Sequence, residues 1–171
     1  MGDLMNTLNG SAVISDCGQY RYRLDRDVQD AGLVIAYFGI NPSTADASID
    51  DHTVRKWRGF TLRNGGRKFI VGNAFSYRAT DVTLVGSCAS SRGPLHGGHI
   101  DQIILDADVL VPCWGNSSKV PYRLRSTVQD LLRQLLASGK PVLHFGKTKS
   151  GDPMHPLTLG YDTPLIPWVT P

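Results

Sequence analysis

The segment Val34-Ile-Ala-Tyr-Phe-Gly-Ile-Asn-Pro-Ser-Thr-Ala-Asp46 constrains the fold of this chain more than any other. Gly32 to Phe38 is a continuous apolar run, as expected of a strand covered on both faces. It stops abruptly at Gly39-Ile40-Asn41-Pro42, and small polar residues follow. A buried strand that ends in a tight turn delivers side chains to the rim of a sheet. Ligand crevices form at that rim in open α/β folds. Asn41 is the residue this turn presents.

Three further apolar runs read as core strands: Lys68–Phe75, Asp108–Trp114 and Pro141–Gly146. Helical patterns separate them. Asp50 or Asp51 caps a first helix, whose buried side is Val54, Trp57 and Phe60 or Thr61, and Asn64-Gly65-Gly66 ends it. His99–Ala107 predicts a short helix. Tyr122–Ser138 predicts the clearest one, with Leu124, Val128, Leu131, Leu132 and Leu135 on the helical period and Gly139 as its stop. Gln19–Asp25 alternates with period two, which predicts a half-buried strand paired with Ala12–Ile14. The segment from Ser76 to about Gly98 predicts a long functional loop, and the tail from Lys147 predicts loop. The expected fold is a single three-layer α/β domain over residues 1–171. Its central sheet is expected to be mostly parallel and four-stranded, with flanking helices and an N-terminal β-hairpin.

Composition narrows the class. With 171 residues, 41% of them hydrophobic, the chain suits one sizeable core. No apolar run reaches the roughly 18 residues of a membrane span, so no membrane association is expected. Met1–Met5 shows neither a basic region nor an apolar core, so no secretory signal is expected. A formal charge of +3 permits nucleic-acid binding without arguing for it. Cys17, Cys88 and Cys113 form neither a disulfide framework nor a zinc-ligand pattern. Cys113 reads as a core thiol, and a reducing cytoplasm is the expected location. A monomer without metal or cofactor is expected.

Each core strand is followed by a polar cluster. These are Asn41-Pro42-Ser43-Thr44; Asn73 with Ser76-Tyr-Arg-Ala-Thr-Asp81; Trp114-Gly-Asn-Ser-Ser118; and Lys147-Thr-Lys149 running on to His155-Pro156. In a parallel sheet these ends converge on one edge. No glycine-rich phosphate loop, nucleophile elbow or metal cluster accompanies them. What remains is an amide, hydroxyls, one Arg, one His and backbone donors. That set orients a water and stabilises a leaving anion, and it builds no strong covalent nucleophile.

Gly39-Ile40-Asn41-Pro42 after an apolar strand resembles the first motif of the uracil-DNA glycosylase superfamily, nearest its mismatch-specific uracil/thymine branch. Asn73-Ala-Phe-Ser-Tyr-Arg-Ala-Thr80 resembles that branch's second-strand segment, and Met154-His155-Pro156-Leu157 resembles the last superfamily motif. The motifs Asn-Pro-Ser-Thr-Ala-Asp, Asp-Asp-x-Thr, Asn-x-Phe-x-Tyr-Arg-Ala-Thr-Asp, Trp-Gly-Asn and Lys-Ser-Gly-x-Pro-x-His-Pro-Leu all occur between about Tyr20 and Leu159. In this the chain also resembles the domain of unknown function 1643 family. The glycosylase resemblance implies a DNA partner whose modified or damaged base is flipped into the strand-end pocket. It implies Asn41 as the residue that orients water, and His155 or backbone N–H groups as donors to the departing base. It implies Gly39, Ile40, Pro42, Ser43, Asn73 and Trp114 around the base. Thr44, Asp46, Asp51 and Arg78 would make substrate or loop contacts, with Lys147 and Lys149 on phosphates and Leu157 as a wedge.

The chain also departs from those enzymes. Ser43-Thr44 replaces a Gly and an apolar residue, and Asp46, Asp50 and Asp51 add acid beside the pocket. Two other readings therefore stand beside the glycosylase: a binding module for a nucleotide or modified base, and a hydrolase or transferase of free nucleosides or nucleotides. Plainer roles are also open. Asn41-Pro42 can be a turn, Arg78 can pair with Asp81, His144 can be a core histidine, and Trp57 and Trp114 can be packing.

Overall fold

The structure, a computed structural model, describes residues 9–87 and 90–170. Met1–Met5 and Cys88 lie outside the described residues. The elements are β1 (Gly10–Ile14), β2 (Arg21–Asp27), β3 (Leu33–Gly39), α1 (His52–Arg63), β4 (Gly66–Asn73), α2 (His96–Asp106), β5 (Val109–Pro112), α3 (Arg125–Ala137), β6 (Leu143–His144) and β7 (Ile166–Pro167). Among the described residues, no helix is long and apolar enough to cross a membrane.

The main sheet has five strands in the order β1-β2-β4-β3-β5. β3 pairs in parallel with β4 and with β5, and β2 pairs antiparallel with β1 and β4. The sheet is thus mixed, with three parallel strands where four were expected. The segment Pro141–Gly146 meets β5 through a single parallel bridge, Leu110 to Val142. The Val142 carbonyl accepts from Trp168 N at 2.8 Å, and β6 pairs antiparallel with β7. Leu110 N donates to Pro141 O at 2.9 Å on the β5 side, so the tail pairs with the opposite edge of this short segment, and it is not wholly loop. A 3₁₀ turn at Pro156–Thr158 adds to it.

Alternation on β3 builds two cores. Val34, Ala36 and Phe38 pack with Ile100 and Ile103 of α2 and Val128, Leu131 and Leu135 of α3. Ile35 and Tyr37 pack with Val54, Trp57 and Phe60 of α1. The sheet is thus sandwiched between α1 and the α2–α3 pair. Of the two candidate caps of α1, Asp51 is the cap, accepting from Val54 N at 2.9 Å. Such a cap contributes about 1 kcal/mol. Asp50 is occupied elsewhere, in ion pairs with Arg26 and Arg58 at 2.8 Å each. The second helix begins at His96, three residues before the expected start. The third opens with a 3₁₀ turn at Tyr122–Leu124, as helix starts often do.

β2 is not half-buried as its alternation suggested. Tyr22, Leu24, Asp25 and Arg26 are all buried, because α2 packs on one face and the segment 45–50 covers the other. Its register with β1 pairs Val13 with Arg23 and Ile14 with Arg21, which leaves Tyr22 without a partner. This is a β-bulge, and a bulge re-aims side chains. Arg21 and Arg26 consequently reach the same overlying segment: Arg21 Nη1 donates to the Ala45 carbonyl, and Arg26 Nη2 to those of Asp46 and Ile49.

His96 is buried at the start of α2, with Nδ1 2.7 Å from Ser76 Oγ. Burial lowers its pKa from 6.5 to about 4. The unfolded chain therefore binds a proton that the folded chain refuses. Stability from this group is full above pH 6.5 and is lost as pH falls from 6.5 towards about 4. The loss is on the order of 3 kcal/mol at the acid end. In denaturant titrations, His96→Gln should flatten this slope. An unchanged slope would show that His96 does not titrate as described.

Candidate functional site

The exits of β3, β4 and β5 lie side by side, and their chains leave in different directions. β3 leads to α1 on one face, whereas β5 leads to α3 on the other. Adjacent strands whose connections diverge in this way leave a crevice between them. A cavity of about 720 Å³ fills it. That volume suits a small organic ligand.

The exits of β3 and β4 are joined beyond the strands. Ala74 N donates to Gly39 O at 2.9 Å and Phe75 N to Ile40 O at 2.8 Å. Asn41 Nδ2 then donates to the carbonyls of Ala79, at 2.8 Å, and Pro42, at 3.1 Å. Two carbonyl partners require the amide nitrogen on that side, so the side chain has one orientation. Its Oδ1 accepts from no protein donor among the described residues, and Asn41 lines the cavity. Beside it, Asn73 is buried at the end of β4, opposite Gly39. A Cβ on Gly39 would lie 2.9 Å from Asn73 Oδ1, so glycine is what admits the second amide.

His155 closes the far side. Its Nδ1 accepts from Leu157 N at 3.2 Å, which caps the 3₁₀ turn. Burial, and Lys119 nearby, push its pKa below the usual imidazole range, while Asp51 opposes them. The ring is then neutral at pH 7, and its proton sits on Nε2 as a donor. Gly115, at φ 76, brings the β5 exit against this ring, where a Cβ would lie 3.2 Å from His155 Cβ. Asp152 braces the same corner by accepting from Ser117 N, Ser117 Oγ and Ser150 Oγ.

Of the residues the sequence singled out, Gly39, Ile40, Asn41, Ser43, Thr44, Asp51, Asn73, Trp114, His155 and Leu157 line the cavity. Pro42 does not, but its carbonyl accepts from Asn41 Nδ2 and Ala79 N. Asp46 is turned away, its carboxylate accepting from Ser48 N and Ile49 N. Arg78 does not pair with Asp81. It donates to the carbonyls of Ser43 and Gly18, at 3.4 Å each, and Asp81 caps Thr83 N. Lys147 lies over the Trp168 ring at 4.2 Å, and Lys149 is exposed away from the cavity wall. His144 is a core histidine whose Nδ1 accepts from Gly146 N at 3.0 Å. Cys113 is a core thiol that accepts from Trp57 Nε1, and burial pushes it up to about 12.

The structure adds Arg21, His52, Trp57, Asn116, Lys119, Thr148 and Met154 to the wall. Arg21 and Lys119 lie outside the clusters at the strand ends, and no local pattern marked them. Trp57 and Trp114, each buried but reaching the wall, supply apolar lining, while the amides, His155 and Arg21 supply polar contacts. That combination suits a planar, polar ring.

A family model described as Protein of unknown function (DUF1643) matches residues 21–157. The chain belongs to the DUF1643 family. The matched span of this DUF1643 protein begins at Arg21 and ends at Leu157, so it holds every cavity-lining residue except Thr158. No curated protein and no solved structure matches the chain significantly.

The tether at Asn41 makes a specific prediction. In Asn41→Asp a carboxylate would face the Pro42 and Ala79 carbonyls, at a cost of about 1–3 kcal/mol at pH 7. Its pKa would be raised in the folded state, so the deficit should shrink as pH falls into the carboxylate range. The deficit of Asn41→Ala should not change with pH. Equal pH dependence of the two variants in chemical denaturation would contradict the tether.

Proposed function

We propose that this cavity binds a nucleobase-bearing substrate and hydrolyses its N-glycosidic bond, with a modified or damaged base in DNA as the substrate class. The observation that carries the reading is Asn41, whose NH₂ is tied to two carbonyls while its Oδ1 is left to the cavity. A fixed acceptor at a strand end can hold one water in line with a sugar carbon. The water oxygen adds to that carbon as the C–N bond breaks, and the bond's electron pair leaves with the base. Asn41 Oδ1 accepts a hydrogen bond from that water, and once the C–O bond has formed the oxygen's extra proton goes directly to solvent or to the departed base. The sugar becomes cation-like before the water arrives, so a neutral amide is enough to position it.

The leaving base gathers negative charge. His155 Nε2–H is the donor offered to it, and Trp114 and Trp57 provide surfaces on which the ring can stack. Asp51, on the same wall, favours the positive charge that develops on the sugar. This gives the acid beside the pocket a role that agrees with an anionic DNA backbone kept at the rim, where Lys119 is exposed.

The test is mass spectrometry of free bases released from single- and double-stranded DNA carrying a broad panel of modified and damaged bases. Wild-type protein should release at least one. Asn41→Ala should lower that rate by roughly 100-fold or more, and His155→Gln by roughly 100- to 1,000-fold. No base released from any member of the panel would refute the proposal.

A further inference from the structure

β2 carries three arginines, and they are not equivalent. Arg23 pairs with Asp25 at 2.7 Å and Asp106 at 2.6 Å. Arg26, 2% exposed, pairs with Asp50 at 2.8 Å. Arg21 is just as buried, 3% exposed, and it lines the cavity. Its one protein hydrogen bond among the described residues runs from Nη1 to the Ala45 carbonyl at 2.8 Å. Its Nε is buried with no partner, and no ion pair reaches it among the described residues. Asp51, also on the cavity wall, attracts it without pairing with it.

A buried guanidinium without a carboxylate costs several kcal/mol. A single carbonyl contact does not offset that, and the bulge at Tyr22 turns this arginine to the cavity side. Burial lowers its pKa to about 10, so it remains charged at neutral pH. Its position also sets a length. In the order β2-β4-β3-β5, Arg21 and the Trp114 exit stand three strands apart, roughly 14 Å. The cavity thus has a buried cation at the Arg21 end, whereas the cation near the Trp114 end, Lys119 beside His155, is solvent-exposed.

We infer that Arg21 forms an anion subsite, in which its guanidinium binds the phosphate or carboxylate oxygens of an elongated substrate whose planar ring lies towards Trp114. The subsite rests on the reading of this cavity as the substrate site, but not on bond cleavage. The anion is either a nucleotide's phosphate or a carboxylate carried by a modified base, and the guanidinium fork suits both.

Calorimetry and thermal shifts on the full chain separate these sources. The probes are inorganic phosphate, 2′-deoxynucleoside 5′-monophosphates, the matching uncharged nucleosides, and a 5-carboxypyrimidine nucleoside. At least one anionic probe should raise Tm and bind tenfold or more tightly than its uncharged counterpart. Preference for the monophosphates assigns the phosphate, and preference for the carboxylated nucleoside assigns the base. Arg21→Met should lose that preference while its own Tm is unchanged or higher, because an unpaired charge has been removed. Arg21→Lys should retain part of the preference. The inference is overturned if no anion binds the wild type better than its uncharged counterpart, or if Arg21→Met keeps the preference. It is also overturned if Arg21→Met loses stability yet, read below its Tm, still prefers the anion, which marks a structural arginine. Anion binding without base release would sink the glycosylase proposal alone. Base release that is indifferent to Arg21 would sink the anion subsite alone.

Discussion

Asn41 holds the two central strand exits together, and the cavity depends on that joint. Its amide nitrogen spans the carbonyls of Pro42 and Ala79, one on the loop leaving β3 and one on the loop leaving β4. Arg78 reaches back to Ser43 from the same loop, and Ala79 N donates to Pro42 O. Each is a modest interaction, worth about 1 kcal/mol. Together they keep parallel strand ends in register where no sheet hydrogen bonds remain. The same tether leaves only Oδ1 for a ligand, so the structural and chemical uses of Asn41 are complementary.

The second constraint is how charge is arranged around the segment 45–50. Arg26 and Arg58 close on Asp50, Asp46 caps its own turn, and Asp51 caps α1. The acids that stood out in the sequence beside the expected pocket are therefore mostly committed to holding this segment down. Asp51 alone is left on the cavity wall, facing Arg21 and His155.

Much of this was legible in the sequence because it is local. The apolar runs of β3, β4 and β5, the spacing of Val54, Trp57 and Phe60, and the leucines of α3 each follow from residues near one another in the chain. So do Asn41, Asn73, Trp114 and His155, which lie at or after strand ends. What escaped is set by distant pairing. The expected fourth strand meets β5 at a single bridge, and on its other edge it pairs with the tail, where Trp168 N donates to Val142 O. Arg21 looked like the polar half of an alternating strand, and only the bulge at Tyr22 and the segment above it make it a buried cavity residue. The glycosylase resemblance implied phosphate contacts for Lys147 and Lys149, and the fold sets Lys147 over the Trp168 ring.

The central claim is that ligand binds where β3, β4 and β5 end. The chain has three tryptophans, so its indole N–H signals are a direct probe of that place. Trp57 and Trp114 line the cavity, while Trp168 lies outside it against His144 and Lys147. Nitrogen-15 labelling of tryptophan and titration with substrate or product should move the Trp57 and Trp114 signals and leave Trp168 in place. A bound ligand that moves only Trp168, or none of the three, would contradict the account.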